Sequence, residues 1–222
     1  MSFLGDVGIM KVTALRAKGR RHERILVYLD GKFAFSLEAE VVAKEKVAVG
    51  QELTGERIKA LTRANELERC FGVAKHYLSY RPRSEFELKE RLCRRGFDVG
   101  SVETVLAGLK ELGLVDDLEF ARFWRDNREA FSPRSGSLTR MELRRKGVAE
   151  EIISQIVSTI SDADSAYQVA LSKARRLPLS DYEGFRRRLG EHLRRRGFSY
   201  GVISNTVARL WQEMREGNPG LS

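Results

Sequence analysis

The sequence predicts a mainly α-helical protein, three tandem three-helix repeats in an elongated array, preceded by a small β-rich N-terminal domain. Three observations carry this expectation. Up to about residue 37, apolar residues alternate in short β-branched and aromatic runs. After Leu67 they recur every three or four positions, the period of one helix face. Finally, the pattern Leu-x-Arg-basic-Gly-apolar occurs three times, at Leu92–Phe97, Leu143–Val148 and Leu193–Phe198.

The N-terminal domain is expected over residues 1–66. Ile9 to Leu15, Ile25 to Leu29 and the Phe33/Phe35 alternation read as about three antiparallel strands. Asp30-Gly31 predicts the tight turn between the second and third, because a type I′ turn needs positive φ at both central residues. The basic stretch Lys18–Arg24 would connect the first two. Two short helices follow, about 38–46 and 54–66, with Thr54 as N-cap.

The repeats are expected over residues 67–115, 116–162 and 163–222. Predicted helices run about 67–80, 84–95 and 98–112, then 117–130, 137–146 and 149–161, then 163–176, 181–196 and 199–215. Gly96, Gly147 and Gly197 stand 51 and 50 residues apart. Each is placed to take the left-handed conformation just past a helix end. The basic residues before each glycine suit the electronegative end of that helix. Asp98 and Ser199 are N-caps for the next helix in the first and third repeats, and Ala149 takes that place in the second. Arg81-Pro82-Arg83 stops one helix, and Ser84-Glu85-Phe86-Glu87 opens the next as a capping box. Ser180-Asp181-Tyr182-Glu183 predicts the same device in the third repeat. A period of this size marks stacked supersecondary units, each with its own small core.

Composition narrows the function classes. The chain has 222 residues, of which 42% are hydrophobic and 32% charged, with only 4 prolines, and its net charge is +9. That balance is globular rather than disordered or membranous. Cys70 and Cys93 are the only cysteines, too few for a disulfide framework or a four-cysteine zinc site. No apolar run approaches the ~20 residues of a membrane span. Met1–Asp6 lacks the basic and apolar regions of a secretory signal, so a reduced cytoplasm is expected.

No enzyme chemistry is expected, and no cofactor or metal. Asp116-Asp117 has the look of a magnesium-binding nuclease pair, but it follows a helix-ending Gly113 and reads better as an N-cap and first turn. His22, His76 and His192 are scattered, and no phosphate-cradling glycine motif is present. Phe120, Phe123 and Trp124 form an aromatic stripe that suits helix packing better than base stacking. Cationic surface remains. Residues 164–222 carry eleven basic against six acidic side chains, +5 of the +9. Arg187, Arg188, Arg194 and Arg195 fall on adjoining helix faces, fit for phosphates or an acidic protein groove, or simply for solvation.

Ala74-x-x-Tyr77-Leu78-x-x-Arg81-x-Arg83-Ser84-x-x-Glu87-Leu88, continued by Leu92-x-x-x-Gly96-Phe97, resembles the signature of the RecX family of RecA regulators. Leu114-Val115-Asp116-Asp117-x-x-Phe120-Ala121-x-x-Trp124-x-x-x-Arg128 and Leu143-Arg144-x-Lys146-Gly147-Val148 extend the resemblance. The segment Leu29–Leu37 is similar to the β-rich extension of some members. The resemblance implies a non-catalytic monomer of three three-helix repeats. It would lie in the groove of the RecA–DNA filament, touching single- or double-stranded DNA weakly or through the filament. It would restrain ATP hydrolysis, strand exchange and the co-protease action of the SOS response. Most matched residues, among them Ser84, Glu87, Gly96, Asp116, Asp117, Trp124 and Gly147, read as fold determinants, as does Gly197. Arg81, Arg83 and Arg128 are the matched residues whose charge is expected to face outward. The alternative is a helical DNA-binding protein without a recombinase partner. Its recognition helices would be Val102–Leu112 and Ile152–Ile160, which are poor in base-reading side chains.

Overall fold

A computed structural model describes residues 8–19 and 23–216. Residues 20–22, in the expected Lys18–Arg24 connection, and Met1–Asp6 lie outside the described residues. Ten helices and four strands are present among those described. They form two compact units: residues 8–81 with 88–114, and residues 82–87 with 115–216.

The first unit opens with β1 (Met10–Lys18), β2 (Arg24–Leu29) and β3 (Lys32–Glu38), in a sheet of order β3-β2-β1-β4. Asp30 and Gly31 have φ 47° and 81°, the turn their identities demand. The fourth strand, β4 (Glu52–Leu53), is two residues long and pairs with Met10 and Lys11; it is too short to show a period. Val12, Val27 and Leu37 turn inward onto Val41, in α1 (Ala39–Lys44), Leu53 and Leu61.

α2 spans Gly55–Leu78, capped by Thr54, whose Oγ1 accepts from Arg57 N at 3.2 Å. The break expected at residue 66 does not exist. Nothing between Glu56 and Phe71 is Gly or Pro, so the backbone has no reason to stop. The front of α2 closes the sheet core with Leu61, and Asn65 Oδ1 accepts from Glu38 N at 2.7 Å. Its rear packs on α4 (Val99–Glu111). The strands and the first three-helix set therefore belong to one unit rather than two.

α3 (Glu85–Arg94) precedes α4 in the chain. The second unit then contains α5 (Asp117–Phe131), α6 (Gly136–Arg145), α7 (Glu150–Val157), α8 (Asp162–Ala174), α9 (Tyr182–Arg194) and α10 (Tyr200–Glu216). Phe120, Leu143 and Ile153 centre one of its cores. Phe185, Leu189, Leu193 and Leu210 centre the other.

The repeated glycines end α3, α6 and α9 in one geometry. Gly96, Gly147 and Gly197 have φ 93°, 74° and 84°. The following amide bonds back to the leucine carbonyl five residues earlier: Phe97 to Leu92 at 3.4 Å, Val148 to Leu143 at 3.2 Å, Phe198 to Leu193 at 3.4 Å. Asp98 caps α4 through Ser101 N at 3.1 Å, Ser199 caps α10 through Val202 N at 3.4 Å, and Ala149 offers α7 no side-chain cap. The Ser180–Glu183 device does not form. α9 starts after Asp181, which makes no capping bond, and Glu183 pairs with Arg186 at 2.8 Å.

Two outcomes test this account. A Cβ at Gly96 meets nothing within 4 Å, whereas one at Gly147 would lie 2.3 Å from Phe86 Cβ. Gly96→Ala should cost ~1–2 kcal/mol for left-handed strain alone, and Gly147→Ala should exceed it by ~1–3 kcal/mol of overpacking. Equal thermal melts would contradict the contact. Hydrogen bonds from Ser101, side chain then backbone, hold the Asp98 carboxyl down to about 2. Its contribution is present above the unfolded carboxylate range and is lost as pH falls through that folded value. Asp98→Asn should flatten the acid limb of a pH-melting series.

Candidate partner-binding surface

The first turn of α3 is held within the second unit. Ser84 Oγ accepts from Glu87 N at 3.1 Å and donates to the Lys146 carbonyl at 2.6 Å, at the end of α6. Glu85 N donates to Asp117 Oδ1 at 2.8 Å. The Glu87 carboxylate meets Lys146 Nζ at 3.2 Å and Arg83 NH1 at 3.5 Å. Gly147 takes its place beneath Phe86, where a side chain would not fit.

The arrangement recurs one repeat on. Ser135 Oγ accepts from Leu138 N at 3.1 Å, and Ser135 N donates to the Arg196 carbonyl at 3.0 Å. Gly136 N donates to Asp162 Oδ1 at 2.7 Å, and a Cβ at Gly197 would lie 2.6 Å from Ser135 Oγ. Ser135 and Asp162 escape a reading by motif alone. The signal for Ser135 is its place 51 residues after Ser84.

The expected outward arginines divide. Arg83 is buried, its side chain 8% exposed beside the equally buried Glu87, so its charge is turned inward to an ion pair. Arg128 is half-buried. Its Nε donates to Glu142 Oε2 at 2.8 Å, and its guanidinium lies 4.7 Å from the Trp124 ring centre. Trp124 packs on Phe120 and donates from Nε1 to the same Glu142 oxygen at 2.8 Å. Arg134 donates to the other oxygen. Glu142 thus gathers three donors, a role no local motif announces. Arg81 is half-buried.

The carboxylate pair is committed to backbone amides. Asp116 Oδ1 accepts from Leu118 N at 2.7 Å and Glu119 N at 3.2 Å, while Asp117 serves Glu85. Among the described residues no group of three or more His, Cys, Asp or Glu is placed to hold a metal ion. Burial pushes the Cys70 thiol up to about 11, far from a reactive thiolate. No helix of the described residues is long and apolar enough to cross a membrane.

The third repeat presents a different surface. Arg187, Arg188 and Arg194 on α9, and Arg195 just past it, are exposed and make no ion pair among the described residues. Arg187 and Arg194 line a groove of about 540 Å³ between α9 and α10, beside Glu191 and the exposed Tyr200.

Three family models match in order: the regulatory protein RecX N-terminal domain over residues 10–54, the RecX first three-helix domain over 70–109 and the second over 116–156. Together they cover more than half of the chain. The chain belongs to the RecX family. A regulatory protein RecX of Bacillus licheniformis is 29% identical over 93% of this chain and 80% of its own length. One of Clostridium botulinum (Eklund 17B) is 27% identical over 89% and 94%. A crystal structure of a regulatory protein RecX aligns with TM-score 0.67 and 26% identity, covering 88% of this chain and 97% of the other. A RecX structure from Lactobacillus salivarius, 21% identical, aligns over 66% of this chain and 97% of its own with TM-score 0.58, and bears on the fold alone.

Replacing Glu142 by Ala strands Trp124 Nε1, Arg128 and Arg134 together. The expected loss is ~1.5–3 kcal/mol or more in urea unfolding followed by tryptophan fluorescence. Asp116→Ala should cost only ~0.5–2 kcal/mol as a lost cap. A Glu142→Ala transition at the wild-type midpoint would contradict the network.

Proposed function

We propose that the protein is a monomeric cytoplasmic regulator that binds in the groove of the RecA–DNA filament and restrains recombinase, ATPase and co-protease activity, without chemistry of its own. Membership of a family of regulatory proteins supports the reading. The single observation that carries it is the exposed, unpaired quartet Arg187, Arg188, Arg194 and Arg195 beside a groove. Exposed arginines that make no ion pair stay available to phosphates or acidic side chains, because no engaged partner must be displaced first. Arg83 and Arg128 contribute by holding the fold. Several modest contacts along a polymer add up when they are made together.

The test removes the quartet's charge. Changing all four arginines to Gln keeps helix propensity nearly constant and should leave the melting temperature unchanged. Inhibition of RecA ATPase on single-stranded DNA should weaken. Where the contacts are to phosphates, each one lost should flatten the plot of log affinity against log salt by ~0.7–0.9. A quadruple variant that restrains RecA as well as wild type would remove this face from the mechanism.

A further inference from the structure

A second cavity of the second unit, about 600 Å³, lies between the end of α5 and the α8–α9 pair and shares no lining residue with the α9–α10 groove. Lys173, Arg176, His192 and Arg196 line it, with Glu129 the only acidic residue on its wall. Phe131, 82% exposed, lies on the same wall. None of Lys173, Arg176 and Arg196 has an ion pair among the described residues, unlike Arg128 and Arg134 nearby, which Glu142 neutralises. Arg196 Nε is buried and meets no hydrogen-bond acceptor.

We propose that this cavity binds a phosphate group. Three permanent cations against one carboxylate leave a surplus of two positive charges. A phosphate monoester, with about −1.5 to −2, matches that surplus, whereas a single carboxylate leaves half of it unpaired. The forks of Arg176 and Arg196 suit two phosphate oxygens each. The volume exceeds one phosphate, and Phe131 offers a flat apolar face for an attached base. The phosphate can come from a free nucleotide or polyphosphate, or from the backbone of a nucleic-acid strand.

His192 gives the site a proton linkage. Burial, and then Arg196, Lys173 and Arg195, lower its pKa, so the imidazole is neutral at pH 7. The charged groups around it are Lys173 on α8, Arg176 just past α8, Arg195 and Arg196 past α9, and Glu129 from α5. A bound oxyanion offsets the surrounding cations and raises the His192 pKa, so binding tightens as pH falls through its bound value.

The experiment titrates the full chain with pyrophosphate by calorimetry, and separately with sulfate while following the histidine ring protons by NMR. Wild type should bind pyrophosphate, and sulfate should raise the His192 titration midpoint. Lys173→Gln with Arg176→Gln should weaken pyrophosphate binding at least about tenfold with an unchanged melting temperature. Arg196→Lys, which keeps the charge but loses the fork, should weaken it as well. His192→Gln should retain binding and lose its pH dependence towards sulfate. A single-stranded oligonucleotide that displaces pyrophosphate identifies a strand backbone as the source, and one that does not identifies a free phosphate compound. The proposal is overturned if wild type does not bind pyrophosphate, if the variants bind it equally, or if a polyglutamate peptide displaces it at lower concentration than the oligonucleotide does. Changing Arg187, Arg188 and Arg194 to Gln, none of which lines this cavity, should leave pyrophosphate binding intact, so this site and the proposed RecA contact fail separately.

Discussion

The turn from Lys146 to Val148 is where most of the second unit's order is decided. Gly147 in the left-handed region ends α6, and the lack of a side chain there lets Phe86 approach to a distance no other residue permits. The carbonyl just before it accepts the Ser84 hydroxyl, and the Lys146 ammonium meets Glu87. The same Lys146 nitrogen lies 5.2 Å from the Trp124 ring, which shares Glu142 with Arg128. One backbone reversal therefore satisfies a helix end, seats the opening of α3 and anchors a charged network. Breaking it with a side chain would disturb all three, since a buried polar network left half satisfied is worse than none.

A division of labour follows among residues of like chemistry. The arginines and acids that carry the family pattern, Arg83, Glu87, Asp116, Asp117 and Arg128, spend their charge on internal ion pairs or on backbone amides. Arg187, Arg188, Arg194 and Arg195, outside the best-matched pattern, keep theirs for solvent or a partner. Charge count alone hides this difference. What separates the two groups is whether a carboxylate is engaged, as Glu142 is by Arg128 and none is by Arg188 among the described residues.

Much of the fold was legible because its signals are local. A glycine past a leucine-bearing helix, an Asp or Ser before the next one, and Asp-Gly between β-rich runs each act within about five residues. The continuity of α2 was less legible, since the change from strands to helices suggested a boundary that no breaking residue enforces. The Ser180–Glu183 pattern shows the converse: the residues are present, but α9 begins one position later and Glu183 finds Arg186 instead. Of the candidate site, the exposed arginines could be placed on helix faces from spacing alone. The inward turn of Arg83, the gathering of three donors on Glu142 and the capping of Gly136 by Asp162 depend on pairings across 4 to 26 residues and on burial, which composition does not encode.

On the proposed function, the chain recognises a recombinase filament rather than nucleic acid by itself. The most direct measurement is co-sedimentation of the full-length protein with RecA assembled on single-stranded DNA, beside the same DNA bare, at near-physiological salt. The protein should pellet with filament at concentrations where bare DNA leaves it in the supernatant. Equal pelleting on both would contradict it and make the chain a plain DNA-binding helical protein.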